Sequence, residues 1–121
     1  MKFFALILFV LCLVPPATAA EPAADIGLAE VGVMGRLNGQ ALACSHMEAV
    51  SKIKALIIKF APKSRRYGEA FETATNDEYL AQARKDKTAC PDATAFSEQL
   101  DEAAKRLQTV FAINANDKNA P

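Results

Sequence analysis

The chain has 121 residues, of which 51% are hydrophobic and 23% are charged, and its 14 basic side chains balance its 14 acidic ones. This length suits a single small domain, and this composition excludes a disordered or low-complexity protein. The absence of a net positive charge argues against a general nucleic-acid binder. One histidine and three cysteines are too few for most multi-ligand metal sites and for most histidine-based catalytic sites.

Residues 1–20 have the pattern of a secretory signal peptide. A basic start at Lys2 precedes an apolar run of 12 residues, 3–14, which is shorter than the roughly 20 that a membrane-spanning helix needs. Pro15 and Pro16 interrupt this run, and the small residues 17–20 provide a cleavage site. We therefore predict an exported protein of the periplasm, or one secreted beyond it, with no membrane span left after cleavage.

Removal of the leader leaves two cysteines. Cys12 departs with the signal peptide, so that Cys44 and Cys90 remain. In an oxidising compartment, two remaining cysteines predict a disulfide bond between them. Because the bond would close a long loop, the chain-entropy model assigns it on the order of 4 kcal/mol of stabilisation.

The first part of the exported chain predicts one glycine-rich helix. Residues 21–24 form a short lead, and apolar residues at helical spacing predict a helix from Asp25 to Cys44 that contains four of the five glycines. Since each glycine inside a helix costs about 1 kcal/mol relative to alanine, we expect a neighbouring helix to pack closely there. A bend, or a ligand or partner backbone in the groove, are the alternatives. Asn38 falls in the apolar sector and is predicted to be a buried, hydrogen-bonded amide that sets register.

A second helix is predicted to begin at His46. Ser45 and Glu48 have the spacing of a capping box, which marks a helix start. Met47 and Ile58 lie outside the apolar face of this helix. We therefore expect it to be covered on more than one side.

The remaining sequence predicts two or three more helices. One follows Ser64 and is expected to break or kink near Thr75, and the last is capped by Asp92. Residues 114–121 are predicted to be a flexible polar tail. No segment shows the apolar–polar alternation of a half-buried strand. The predicted fold is all-α: a small antiparallel bundle of four or five helices over residues 25–113, with one disulfide.

The sequence contains no recognisable catalytic set, so we predict that the protein is not an enzyme and that it has no metal or cofactor. His46 stands in the run Cys44-Ser45-His46-Met47, whose soft ligands make copper handling a minor alternative. The favoured interpretation is an exposed histidine in the first turn of a helix, with Cys44 held in the disulfide. No nucleophile elbow, phosphate-binding loop or redox C-x-x-C motif is present.

Charge is distributed unevenly along the chain. The segment 49–68 contains six basic residues and no acidic one, whereas acidic residues dominate 69–92. One interpretation is a solvated face whose lysines pair with neighbouring acidic helices. The other is a docking surface for an acidic partner or for anionic envelope polymers. The predicted partner-binding residues are Lys52, Lys59, Lys63, Arg65 and Arg66.

These observations favour a non-enzymatic periplasmic interaction protein, such as an accessory subunit, an inhibitor or immunity factor, or a regulator of an envelope complex. In layout the chain also resembles the small periplasmic acid-stress chaperones, which combine a signal peptide, about a hundred helical residues and one long-loop disulfide. That resemblance implies an alternative function, a stress-released holdase that exposes apolar surface when conditions change.

Overall fold

The computed structural model describes residues 25–117, except the side chains of residues 114 and 117. The predicted signal peptide, the lead 21–24 and residues 118–121 lie outside the described residues. Four α-helices make up nearly all of the described chain, which confirms the all-α prediction. They are α1 (Leu28–Ala43), α2 (Met47–Phe60), α3 (Arg65–Ala83) and α4 (Ala93–Asp117), with a short 3-10 turn at Lys87–Ala89. Among residues 25–117, no helix combines the length and the apolarity that crossing a membrane requires.

Successive helices reverse direction, and α1 is the central one, since it packs against the other three. The α1–α3 pair is the most extensive, and its two helices run parallel. This direction follows from two hydrogen bonds between the helices: the Tyr67 hydroxyl donates to the Ile26 carbonyl just ahead of α1, and the Gln40 amide donates to Gln82 near the other end. Because α3 packs almost entirely on α1, it lies outside the group formed by α1, α2 and α4.

The core lies between α1, α2 and α4, with Tyr67 contributed by α3. Its largest fully buried apolar side chains are Met34, Ile53, Leu100 and Leu107. Tyr67 is 8% exposed and contacts the Phe111 ring edge-on at 5.9 Å. Burial, reinforced by the nearby carboxylate of Asp25, raises the pKa of the Tyr67 phenol above its ordinary value.

Two glycines explain how α1 and α3 approach each other. A β-carbon added at Gly35 would lie 2.6 Å from the Phe71 carbonyl oxygen, and one added at Gly39 would lie 2.3 Å from the Thr75 carbonyl oxygen. Both obstacles belong to the backbone of α3, so the two helices touch through atoms that no side chain separates. The predicted close approach is confirmed at these two positions. Gly32 does not take part, because the nearest atom to a β-carbon added there would belong to Arg36 of its own helix, 3.8 Å away.

A disulfide between Cys44 and Cys90 joins the end of α1 to the segment that leads into α4, as predicted. The two Cα atoms are 5.7 Å apart, and the bond links residues 46 positions apart in the chain. The closed loop contains both α2 and α3. The amide of the buried Gln82 donates to the Cys90 sulfur at 3.8 Å, which ties α3 to this covalent link.

Four predicted helix boundaries differ from the structure. Helix α1 begins at Leu28 rather than at Asp25, because Gly27 just before it has a positive φ of 82°. The expected break near Thr75 is absent, and α3 continues to Ala83 because the Thr75 hydroxyl donates to the Gly35 carbonyl of α1 and so supports the helix there. The predicted capping box does not form: Ser45 adopts a positive φ of 60°, and His46 is the residue that precedes α2. Helix α4 extends to Asp117, beyond the predicted limit at residue 113. The Asp92 cap is confirmed by a 2.8 Å bond from the Ala95 amide.

Candidate docking surface on the second helix

Helix α2 is apolar on two opposite sides. Its inner side buries Val50 and Ile53 in the core. Its outer side carries four exposed residues at the three- and four-residue spacing that places side chains on one helix face. We call this face the outer strip; it consists of Met47, Ser51, Ala55 and Ile58. The expectation that other parts of the fold cover this side is wrong for the described residues, since Met47 is 58% and Ile58 66% exposed.

Lysines border the outer strip on both edges. By helical geometry Lys54 lies along one edge, and Lys52 and Lys59 lie along the other, next to Glu48. The Lys59 ammonium is 5.1 Å from the centre of the Phe60 ring. Lys54 and Lys59 form no ion pair with the carboxylates of the described residues. The outer strip is therefore an apolar surface with unneutralised positive charge on each side.

The structure separates the five predicted partner-binding residues into different roles. Lys52 pairs with Asp101 of α4 at 2.7 Å, and Arg65 pairs with Glu69 at 2.9 Å. The Arg66 guanidinium contacts the Asp25 carboxylate. Pairing with a neighbouring acidic helix, one of the two interpretations of the charge pattern, thus accounts for Lys52, whereas Arg65 pairs within α3 and Arg66 pairs with a residue that precedes α1.

The other two predicted residues lie at the end of α2. The Lys63 ammonium donates to the Ile58 carbonyl at 3.1 Å. A positive charge at this place stabilises the C-terminal end of the helix. Lys59 remains at the edge of the outer strip. Lys54 belongs to the same surface but was missed from the sequence, although its spacing from Met47 and Ile58 offered a signal once the helix was recognised.

Asn38 is 2% exposed, which confirms that this amide is buried. Its nitrogen donates to the Thr75 hydroxyl at 3.3 Å, and that hydroxyl donates onward to the Gly35 carbonyl. The amide oxygen accepts no hydrogen bond from the described residues. Asn38 therefore links α1 to α3 beside the glycine contact, which agrees with a structural role.

His46 is half-buried, so the prediction of an exposed first-turn histidine is wrong. Its Nε2–H donates to the Pro91 carbonyl at 3.1 Å, and its ring stacks on Phe96 with 5.3 Å between the ring centres. Cys44, the neighbouring candidate copper ligand, has its sulfur in the disulfide. Within the described part of the chain, no three His, Cys, Asp or Glu side chains are grouped so that they could hold a metal ion.

An open groove of about 510 Å³ runs between the first turns of α2 and α4. Phe96 and Leu100 contribute apolar lining, His46 and Met47 lie at the loop end, and Lys52 is part of the wall. Since Met47 lines the groove and also begins the outer strip, the two surfaces are continuous. The groove extends the apolar surface available to a partner from the outer side of α2 towards α4.

The Lys52–Asp101 pair provides a direct test of the local electrostatics. The hydrogen bond and the positive charge from Lys52 lower the pKa of Asp101. We expect Lys52→Met to raise the pKa of Asp101 towards its ordinary value, as measured by following its carboxyl carbon by NMR during an acid titration. Because the folded-state pKa is lowered, the pair stabilises the fold at neutral pH and loses that contribution as the pH falls through the pKa. An unchanged Asp101 titration in Lys52→Met would contradict the observed pairing.

No protein-family model, curated protein or solved structure matches this chain.

Proposed function

We propose that the protein is a non-enzymatic interaction protein of the bacterial periplasm, which binds an acidic protein partner of the cell envelope through the outer strip of α2 and its lysines. The observation that carries this proposal is the coincidence of exposed Met47 and Ile58 with Lys54 and Lys59 on both edges of one helix face. Exposed apolar surface with a polar border is typical of protein interfaces. The disulfide supports the proposal because it braces the bundle that presents α2.

The lysines along the outer strip indicate that the bound surface of the partner is negatively charged. Lys54 and Lys59 have no partner among the carboxylates whose side chains the structure describes, whereas Lys52 is already paired with Asp101. Carboxylates of a partner would form ion pairs with these two lysines. Complementary charge of this kind mainly increases the association rate and the specificity, and salt weakens it.

A double charge reversal tests the proposal. We expect Lys54→Glu/Lys59→Glu to reduce the affinity for the partner at least tenfold, since attraction at both edges of the outer strip becomes repulsion. The variant Lys85→Glu/Lys87→Glu is the matched control, because it changes the net charge equally at exposed positions between α3 and α4. The partner is first purified as a stoichiometric complex from envelope extracts, and its dissociation constant is then measured at several salt concentrations.

Equal affinities of the two double variants would contradict docking through α2. Failure of the parent protein to retain any stoichiometric partner would also contradict it. The proposal requires one stable complex that weakens as salt is added.

A stress-released holdase is the second candidate function. The observation that favours it is the presence of exposed large apolar side chains outside α2, namely Tyr79, Leu80 and Ile113. A holdase binds many unfolded clients, and acidification would increase the fluorescence of the apolar dye ANS as more surface opens. Promiscuous binding with that fluorescence increase supports the holdase, whereas one salt-sensitive complex supports docking.

A further inference from the structure

Resting on the proposed docking function, we propose that the partner presents an amphipathic α-helix with acidic residues on both flanks, and that this helix lies along the outer strip of α2. The inference concerns the shape and chemistry of the bound segment. It is carried by the length of the outer strip, by the small residues at its middle and by the placement of its lysines.

The outer strip has the length and spacing of a helix–helix contact. Met47 and Ile58 stand at its two ends, eleven positions apart, which corresponds to about 17 Å along a helix at 1.5 Å per residue. The intervening members follow at three- and four-residue intervals, the pattern that helices use when they pack on one another. A partner helix of about three turns would therefore contact the whole strip.

The middle of the outer strip is low because Ser51 and Ala55 have small side chains, while larger ones stand at either end. The Ser51 hydroxyl donates to the Met47 carbonyl at 3.2 Å. It consequently needs no polar partner from outside. A large apolar side chain of a second helix fits this position between Met47 and Ile58, in the manner of helix-in-groove recognition.

The edge lysines select acidic flanks and disfavour a second copy of this chain. A partner helix with carboxylates on each side of its apolar residues could pair with Lys54 on one edge and with Lys59 on the other. If two copies packed together through their outer strips, each copy would contribute these two unpaired lysines and a single bordering carboxylate, Glu48. Like charges would then be in excess at the interface, which is unfavourable.

A membrane surface fits the strip less well than a helix does. Binding of an amphipathic helix to a lipid surface increases with the apolar area that it buries. The outer strip offers only two large apolar side chains, one at each end. Small residues at the centre suit the close approach of another helix rather than insertion among acyl chains.

Two synthetic peptides of identical composition test the inference on the full-length exported protein. One places leucines at three- and four-residue spacing with glutamates on both flanks, and the other scrambles the same residues so that no apolar face forms. We expect the patterned peptide to bind at least tenfold more tightly than the scrambled one in a fluorescence anisotropy titration, and to gain helicity by circular dichroism.

A second pair of variants tests the low middle of the strip without changing charge. We expect Ser51→Gln/Ala55→Gln to weaken binding of the patterned peptide at least tenfold, because the longer side chains occupy the space between Met47 and Ile58. Ala112→Gln, at an exposed position on α4, is the control and should bind like the parent protein.

The outcomes separate this inference from the docking proposal. Equal, lysine-dependent binding of both peptides would overturn the helical partner and leave acidic docking supported. Binding to phosphatidylglycerol vesicles without binding to the patterned peptide would overturn the helical partner in favour of a lipid surface. The docking proposal itself fails if reversal of Lys54 and Lys59 leaves the affinity for the purified envelope partner unchanged, or if the parent protein retains no stoichiometric partner.

Discussion

Replacing Gly39 by alanine is expected to lower the free energy of unfolding by about 2 kcal/mol or more, within the usual range for overpacking. The added β-carbon would lie 2.3 Å from the Thr75 carbonyl oxygen and 2.7 Å from the Tyr79 amide nitrogen. Both atoms belong to the backbone of α3, so that no side-chain rotation relieves the overlap and α3 must move as a unit. This cost exceeds the gain of about 1 kcal/mol that alanine provides over glycine in a helix.

Gly32→Ala is the matched control on the same helix. Its nearest neighbour would be the Arg36 guanidinium at 3.8 Å, an ordinary contact with a flexible side chain. We expect this variant to be more stable than the parent by up to about 1 kcal/mol. Urea unfolding followed by circular dichroism measures both changes. If Gly39→Ala were stabilised as much as Gly32→Ala, α1 and α3 could not be in backbone contact at this position.

Removing the disulfide through Cys44→Ala/Cys90→Ala is expected to destabilise the protein by about 4 kcal/mol, according to the chain-entropy model for a loop of this length. The bond joins residues 46 positions apart, and without it the unfolded chain gains the freedom of the segment that contains α2 and α3. A loss of this size is a large part of the 5–15 kcal/mol that typically stabilises a small domain. Thermal and urea unfolding of the double variant measure the effect.

The parent protein under reducing conditions is the control for the loss of the sulfur atoms themselves. Gln82 donates to the Cys90 sulfur, so the alanine variant loses this contact while the reduced parent can keep it. We expect the alanine variant and the reduced parent protein to show nearly the same decrease in the free energy of unfolding. A change below about 1 kcal/mol in each would show that the unfolded chain is not constrained as the entropy model assumes.

Much of the local structure follows from short-range patterns. The Asp92 cap and the disulfide partners were predicted correctly, as was the glycine-lined contact on α1. The predicted break near Thr75 was wrong because the polar run there resembles a helix boundary, whereas the Thr75 hydroxyl in fact bonds to α1. The predicted exposure of His46 was wrong because its ring packs on Phe96, fifty positions away in the chain.

The candidate docking surface was only partly accessible from the sequence. The basic segment was evident from the sequence. The sequence did not show, however, that Asp101 neutralises Lys52 while no described carboxylate pairs with Lys54. Nor did it show that Met47 and Ile58 stay uncovered. The separation depends on which side of α2 faces α4, and that orientation is set by the packing of Val50 and Ile53 into the shared core.

The sequence by itself determined the all-helical character, the cysteine pair and the burial of Asn38, because periodicity, cysteine number and helical phase are properties of short segments or of composition. Only the tertiary structure decided that α1 and α3 pack in parallel, that Lys52 and Arg66 pair with carboxylates distant in the chain, and that one apolar side of α2 remains open. Each of these features depends on contacts between residues dozens of positions apart, and their geometry is fixed only when the helices pack together.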